Sequence, residues 1–184
     1  MVTTVPESTT ATWQIDTAHS VVEFAVKHMM FATAKGRFGK FSGDINFDPT
    51  NIAGSGVNVE IDVTSIDTRD EKRDGHLLSA DFFDAGSFPT ITFKSTRVEP
   101  TSDSEFKVHG DLTIHGITRE AVLDAELTGQ GKNPWGQEVI GFSATTKFKR
   151  SAFGLEWNAA LETGGVLVGD EVKIAIEIEA SRQA

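Results

Sequence analysis

The stretch FKVHGDLTIHGITREAVLDAEL, residues 106–127, decides the fold class. Its apolar residues occupy every second position on both sides of a short turn at His115 and Gly116. This alternation is typical of a β-strand that buries one face, because successive side chains of a strand point to opposite sides. Two such runs joined by a tight turn form a hairpin. The stretch therefore predicts two neighbouring antiparallel strands.

The same alternation predicts six further strands, at residues 21–28, 41–47, 57–63, 91–93, 140–148 and 172–178. Phe38 is out of phase with the strand that follows it, which predicts a bulge near Gly39. Eight antiparallel strands joined mainly by short turns leave two exposed sheet edges unless the sheet closes on itself. We therefore predict an all-β fold, an extended eight-stranded antiparallel up-and-down barrel.

Two stretches interrupt the strands. After the third long strand, Thr68 is followed three residues later by Glu71, which is a capping box, so we expect a short helical insertion that begins near Arg69. Residues 150–171 form a long loop rich in glycine and apolar residues. Ordered loops of this length often serve as lids over a site.

The composition excludes several classes of function. The chain has 184 residues, a formal net charge of −10 and no cysteine, so it offers no disulfide, no thiol nucleophile and no thiolate ligand. The acidic balance disfavours binding to nucleic acids and to anionic membranes. Thirteen Phe, three Trp and no Tyr are present. Large rings without a hydroxyl group suit either a dry core or a cavity for an apolar molecule.

The pattern leaves two alternatives for the barrel interior. Five small residues share inward faces with phenylalanines: Gly43, Gly110, Ala121, Ala125 and Ala144. If the small residues lie side by side, they leave an apolar tunnel. If small and large residues interdigitate, the core is filled, and eight-stranded barrels of both kinds exist.

The residues that carry chemistry do not assemble into a recognisable catalytic or metal site. His109 and His115 lie on one strand face, roughly 20 Å apart when extended. His19 and His28 differ in parity and face opposite sides. The acidic residues of 62–74 are explained by the start of a helix, where negative charge is stabilised. We therefore expect no enzyme, no metal site and no cofactor, and a hydrogen-bonding role for His19.

His28 lies at the end of an inward face, where a histidine is most simply a hydrogen-bonded core group. If the barrel holds an amphiphile, His28 beside Arg37 or Arg150 would meet its polar head group. A protonated His or an Arg binds phosphate, whereas a neutral His serves a quinone carbonyl.

Six segments together resemble the YceI-like, polyisoprenoid-binding family of bacterial proteins, over residues 13 to about 180. They are HSVVEFAVKHMMFATAKGRF (19–38), SIDTRDEKRDGHLLSADFFD (65–84), FPTITFKS (88–95), GDLTIHGITR (110–119), GQGKNPWG (129–136) and VGDEVKIAIEIEA (168–180). The resemblance implies a lipocalin-like barrel whose tunnel holds a long isoprenoid, or a similar acyl or quinone lipid, without catalysis. Because members of that family often pair, it also implies a homodimer as one option.

Two motifs of that family match residues of this chain. His28 corresponds to the histidine that follows the first barrel strand. The R-x-x-H-L-x-S-x-D-F run corresponds to Arg73, His76, Leu77, Ser79, Asp81 and Phe82. For this run we expect a structural role, in which it packs the helix over one end of the barrel and helps to gate it.

With the resemblance included, the tunnel becomes the favoured interior. Its predicted lining is Val22, Phe24, Val26, Phe38, Phe41, Ile45, Phe47, Val59, Ile61, Phe82, Phe93, Leu112, Ile114, Ala125, Phe142, Ala144, Phe148 and Phe153. The alternative function is that of a stress-related interaction protein with a solid barrel, which acts through its acidic surface or through dimerisation.

The chain divides into a flexible arm, residues 1–12, and a single barrel domain, residues 13–182. Residues 1–12 have neither a basic start nor an apolar stretch, so they are not a secretory signal. Many relatives in the resembled family are exported, and this chain departs from them here. We therefore expect a cytoplasmic protein with no integral membrane segment.

Overall fold

The computed structural model describes residues 10–184 and confirms the all-β prediction. The strands are β1 (Ala11–Ile15), β2 (Val21–His28), β3 (Ala32–Phe38), β4 (Phe41–Phe47), β5 (Gly56–Asp62), β6 (Ile66–Asp67), β7 (Thr90–Pro100), β8 (Glu105–Ile114), β9 (Ile117–Lys132), β10 (Glu138–Lys149) and β11 (Val168–Arg182). One α-helix, α1 (Glu71–Leu78), is present in this range, and 3-10 turns lie at Thr17–His19, Ile52–Gly54, Val63–Ser65 and Arg150–Phe153.

Eight of these strands close into the predicted antiparallel barrel. Their order around it is β1, β4, β5, β7, β8, β9, β10 and β11, and β11 pairs with β1 to complete the ring. In the closing pair, Trp13 lies opposite Arg182 and Ile15 opposite Ala180. The earlier part of β11 pairs instead with β2, and β3 and then β6 continue the sheet from there. The strand next to β11 therefore changes from β2 to β1 between Glu177 and Ala180.

The two ends of the barrel differ. The upper end carries α1, the β2–β3 turn, the β8–β9 turn and the loop 154–167 that precedes β11. The lower end carries β1, the β7–β8 turn and the β9–β10 turn. Among residues 10–184 the longest irregular segment, the loop 154–167, lies at the upper end, so this is the end at which an opening can be shaped.

Strands β1, β3 and β6 were not predicted. The buried positions of β3 are Gly36 and Phe38, with only a half-buried Ala34 before them, so the hydrophobic alternation is weak. In place of the bulge predicted near Gly39, β3 ends at Phe38 and β4 begins at Phe41, and the backbone N–H of Gly39 donates to the carbonyl of Ser65 at 3.1 Å.

The predicted flexible arm falls partly on residues 1–9, which lie outside the described residues. Its last part is corrected by the structure. Ala11 and Thr12 belong to β1 and pair with Phe47 and Asn46 of β4. Strand pairing satisfies the backbone groups of these residues, so they form part of the wall.

The helical insertion is present after β5 and β6, but its cap differs from the prediction. The Asp70 side chain accepts hydrogen bonds from the backbone N–H groups of Lys72 and Arg73, so Asp70 is the N-cap of α1. Thr68, the predicted cap, instead donates its backbone N–H and its hydroxyl to Asp74, at 3.0 and 2.5 Å. The helix consequently begins later than predicted.

The buried apolar side chains form two clusters. The upper cluster includes Phe38, Phe41, Ile114 and Phe153, and the lower cluster includes Trp13. No helix within residues 10–184 is long and apolar enough to span a membrane.

Candidate functional site: an apolar cavity with a basic mouth

The interior of the barrel is open rather than filled. A cavity of about 420 Å³ is lined by side chains of both apolar clusters, so it extends from the upper towards the lower end. This volume lies within the range of small-molecule sites, roughly 300 to 1,000 Å³. Of the two alternatives that the sequence left open, the structure therefore has the tunnel.

Three of the five small inward residues line this space. Ala121, Ala125 and Ala144 are on the cavity wall, and Ala125 lies directly opposite Ala144 in the β9–β10 pairing. The space beside Gly43 and Gly110 is instead occupied by neighbouring side chains. A Cβ atom on Gly43 would lie 3.0 Å from the Ile15 side chain, and one on Gly110 would lie 2.5 Å from the Phe93 ring. The opening therefore depends on the alanines of β9 and β10.

The structure places every residue of the predicted lining on the cavity wall except Phe153. Phe153 lies in the 3-10 turn after β10 and is buried. Its ring packs edge-on against Phe148 at a centroid distance of 5.2 Å, and Phe148 faces the cavity. Phe153 thus supports the wall from behind. Strand alternation cannot assign a direction to a residue in a turn, which explains the error.

The titratable residues that line the cavity are all basic. They are Lys27 and His28 on β2, Lys35 on β3, Arg73 and His76 on α1, and Arg150 after β10. Each of these residues belongs to the upper end. Among residues 10–184, no Asp or Glu lines the cavity. The cavity lining is therefore positively charged, although the chain as a whole has a net charge of −10.

Arg150 is on the wall, but its guanidinium is committed to the backbone. It donates to the carbonyl oxygens of Leu155 at 2.6 Å, Gly169 at 2.8 Å and Val168 at 3.3 Å. Burial lowers the pKa of Arg150 from its ordinary value, and the negative charge of Asp170 partly offsets this. Arg150 therefore ties the loop 154–167 to β11, with three of its five N–H donors engaged.

Arg37 does not reach the cavity, which corrects its prediction as a head-group residue. Its side chain is exposed and lies 3.8 Å from the carboxylate of Asp67. Gly36 and Phe38 on either side are buried, so alternation turns Arg37 outward. The period-two rule that predicted the strands would have excluded Arg37 if β3 had been recognised.

His28 is the predicted head-group residue that remains available. It is on the cavity wall, its side chain is exposed at the mouth, and it makes no side-chain hydrogen bond within residues 10–184. Its neighbour Lys27 is on the outward side of β2 and donates to the Thr33 hydroxyl at 3.3 Å.

The residues of α1 form a fixed border of the mouth. Arg73 donates to the Thr68 hydroxyl at 2.8 Å and to the Thr68 carbonyl at 2.6 Å. Because Thr68 also bonds Asp74, the guanidinium is part of a closed network that holds the helix to the end of β6.

An aromatic cluster joins α1 to the loop 154–167. The His76 ring packs edge-on against Phe82 and Trp157, at centroid distances of 5.1 and 4.7 Å, and its Nε2 lies 2.8 Å from Asp81. All three rings line the cavity. Trp157 was not predicted, although a lone indole in a glycine-rich loop is a usable signal for a residue that packs over a site.

One further cluster lies apart from the cavity. Asp16, His19 and Glu179 bring their ligand atoms within 4.8 Å of one another. His19 Nδ1 lies 2.8 Å from Asp16 and 4.0 Å from Glu179. The hydrogen bond to Asp16 raises the pKa of His19, and the same bond lowers the pKa of Asp16. The hydrogen bond to Asp16 agrees with the hydrogen-bonding role predicted for His19. The approach of Glu179 could not be predicted, because Glu179 is 160 residues away in the sequence.

Comparison with known proteins supplies relatives of the whole barrel. The sequence model of the YceI-like domain matches residues 13–180. A UPF0312 protein of Vibrio cholerae is 44% identical over 148 residues, which cover 79% of this chain and 78% of that protein. The crystal structure of Burkholderia cenocepacia BcnA is 30% identical and superposes with a TM-score of 0.79, over 90% of this chain and 98% of that one.

A more distant structure has the same fold. A polyisoprenoid binding domain from Saccharophagus degradans superposes with a TM-score of 0.69 at 16% identity, over 93% of this chain and 98% of that domain. At this level of identity the likeness concerns the barrel architecture alone.

Proposed function

This chain belongs to the YceI-like family, and from that premise we propose that it is a non-catalytic protein that holds one long-chain amphiphilic lipid in its barrel. The ligand would be an isoprenoid, a quinone or an acyl chain, carried, stored or protected from water. The observation that carries the proposal is the apolar cavity of about 420 Å³ with its basic mouth. A domain of Saccharophagus degradans with the same fold is named for polyisoprenoid binding.

The energetics of burial suit a hydrocarbon chain. Each buried methylene contributes about 0.8 kcal/mol, so one five-carbon isoprene unit contributes roughly 3 to 4 kcal/mol before ordering costs. A few units are enough for tight binding. A much longer chain would exceed the practical ceiling of about 18 to 21 kcal/mol on simple addition, so ordering costs or partial exposure must offset the surplus.

The mouth favours an acidic head group. Basic residues are the only titratable groups on the wall within residues 10–184, so a phosphate or carboxylate would gain from them, whereas a cationic head would be repelled. The exposed imidazole of His28 can donate to either anion or to a quinone carbonyl. We therefore place the head group at the upper end and the chain along the barrel.

The hydrogen bonds of His76 have a structural role at the mouth. The ring of His76 bonds Asp81 within the described part of the chain, and no serine or threonine hydroxyl in that part bonds either of its nitrogens. The arrangement around His76 instead holds α1 against the loop.

The cavity can be tested with a pair of matched variants on β10. Ala144 faces the cavity and its neighbour Thr145 is exposed on the outer face. We expect Ala144→Trp to abolish binding of a fluorescent acyl or prenyl probe, because the indole fills the space opposite Ala125, and Thr145→Trp to bind as the wild type does. Solvent extraction of the native protein followed by mass spectrometry should release a long-chain amphiphile. The proposal fails if no lipid is released and the probe binds no better than to denatured protein.

The head group can be tested with His28→Leu. Palmitate should bind about fivefold more weakly to this variant, which corresponds to about 1 kcal/mol for an exposed charged contact. Methyl palmitate, whose neutral ester carbonyl is a weaker acceptor than a carboxylate, should lose less affinity than palmitate. An equal loss for both ligands would place the head group elsewhere. The homodimer stays a prediction, for which light scattering at several concentrations is the measurement.

A further inference from the structure

Exposed apolar side chains are concentrated beside the mouth. Of the large hydrophobic residues that are exposed in residues 10–184, four lie together: Met29, Met30, Phe31 and Val166. The first three form the β2–β3 turn, and Phe31 is 78% exposed. Val166 belongs to the adjoining loop. We call these four residues the rim patch.

The rim patch is continuous across the two segments. The backbone N–H of Met29 donates to the carbonyl of Leu167 at 2.8 Å, and the Met30 side chain lies against Gly165, where a Cβ atom would be 3.0 Å from its sulfur. Leu167 lines the cavity. The patch therefore borders the opening through which a ligand would pass.

The fold does not account for methionines in this turn. Met29 and Met30 have φ of 53° and 71°, in the left-handed region that glycine, asparagine and aspartate adopt most readily. Tight hairpin turns with this backbone favour Asn-Gly. Water also disfavours the exposed thioether chains. Because neither backbone conformation nor solvation favours Met at these positions, a surface outside the chain is the simplest explanation for them.

The charge next to the patch reverses the charge of the molecule. Residues 24–43 contain Lys27, Lys35, Arg37 and Lys40 and no carboxylate, although the chain as a whole carries −10. The adjoining loop 154–167 adds Glu156 and Glu162, and residues 67–84 around α1 carry six carboxylates against three Lys and Arg. The positive charge is therefore confined to the β2–β3 hairpin, which carries most of the rim patch.

We propose that the rim patch docks on an anionic lipid bilayer. Met30 and Phe31 would enter the interface between head groups and acyl chains, and Lys27 and Lys35 would lie near the lipid phosphates. Flexible methionine side chains adapt to irregular apolar surfaces. Docking in this orientation sets the mouth of the cavity against the membrane, so a lipid could pass between them without crossing water. The docking itself does not depend on the proposed function. Only the passage of a lipid between membrane and cavity rests on the proposed function.

Vesicle flotation tests the docking. Vesicles of phosphatidylglycerol and phosphatidylcholine in equal amounts should carry the wild-type protein, and pure phosphatidylcholine vesicles should carry less. Met30→Ser combined with Phe31→Ser should lower partitioning about tenfold. Trp135→Ser is the matched control, because Trp135 is 86% exposed but lies in the β9–β10 turn at the lower end. It should change partitioning by less than about twofold.

A second variant separates docking from folding. Met29→Asn combined with Met30→Gly suits the left-handed turn, so it should raise the melting temperature by about 2 to 4 °C while partitioning falls. Binding of a soluble acyl probe should stay unchanged in all of these variants, which distinguishes a failure of docking from a failure of lipid binding. The proposal is overturned if wild-type protein does not float, if Trp135→Ser loses as much as the turn variants, or if the turn variants convert a dimer into a monomer without vesicle binding.

Discussion

Arg150 shows how one residue holds the irregular segment over the cavity. Its guanidinium satisfies the carbonyl oxygens of Leu155, Val168 and Gly169, and its side chain is buried. No shorter or apolar side chain can replace three donors in this fixed arrangement. The loop 154–167, which includes Trp157, therefore depends on Arg150 for its position.

We predict that Arg150→Met destabilises the protein by about 3 kcal/mol, because it leaves buried carbonyl groups without donors. Urea denaturation measures the change. Lys149→Met is the matched control, since Lys149 is the preceding residue and is exposed. An equal, small loss in both variants would contradict the anchoring role.

At the scale of single elements, α1 depends on its cap. Asp70 accepts from the first backbone N–H groups of the helix, which have no partner inside it. We predict that Asp70→Ala lowers the free energy of unfolding by about 1 kcal/mol and that Asp70→Ser restores most of it. Hydrogen exchange at the amides of Lys72 and Arg73 should accelerate in the alanine variant alone. Unchanged exchange there would mean that the helix start is held by the Thr68 network instead.

The Asp16–His19 pair between β1 and β2 makes the stability of the protein depend on pH. The bond to Asp16 raises the pKa of His19 above its ordinary value of 6.5, so its contribution to stability is present below that pH and is lost as the pH rises through the raised value. The pKa of Asp16 is lowered from 3.8, so its contribution is lost only as the pH falls through the lowered value.

Both contributions are therefore present at mildly acidic pH. We predict that His19→Gln destabilises the protein more at about pH 5.5 than at about pH 9. Urea denaturation of both proteins at the two pH values measures this difference. A difference that is larger at the alkaline pH would show that Asp16 and His19 do not pair as an ion pair in solution.

At the scale of the whole molecule, an open cavity couples stability to occupancy. A ligand that binds only the folded barrel stabilises it by about 2.7 kcal/mol at a hundredfold excess over its dissociation constant. For a chain of this size, that corresponds to a rise in melting temperature of roughly 5 to 10 °C. We predict this rise for the wild type and for Thr145→Trp, and none for Ala144→Trp. A rise in Ala144→Trp would mean that the ligand binds outside the barrel.

The strands can be predicted where the hydrophobic alternation is strong. They are missed where the alternation is weak. Strand β6 has only two residues, and the inward positions of β3 are small. At the site, alternation placed the strand residues of the lining correctly. It failed for Phe153, which is in a turn, and it overlooked Trp157 in the loop. Arg37 was misplaced because β3 was not recognised as a strand.

The sequence by itself determined which side chains face the barrel interior, because the direction of a side chain alternates locally along a strand. Only the tertiary structure decided whether that interior is open. Ile15 and Phe93 fill the spaces beside Gly43 and Gly110, whereas the facing pair Ala125 and Ala144 leaves space unfilled. The volume between side chains depends on which of them meet across the barrel, and that is set by strand register and closure rather than by the pattern of any one strand.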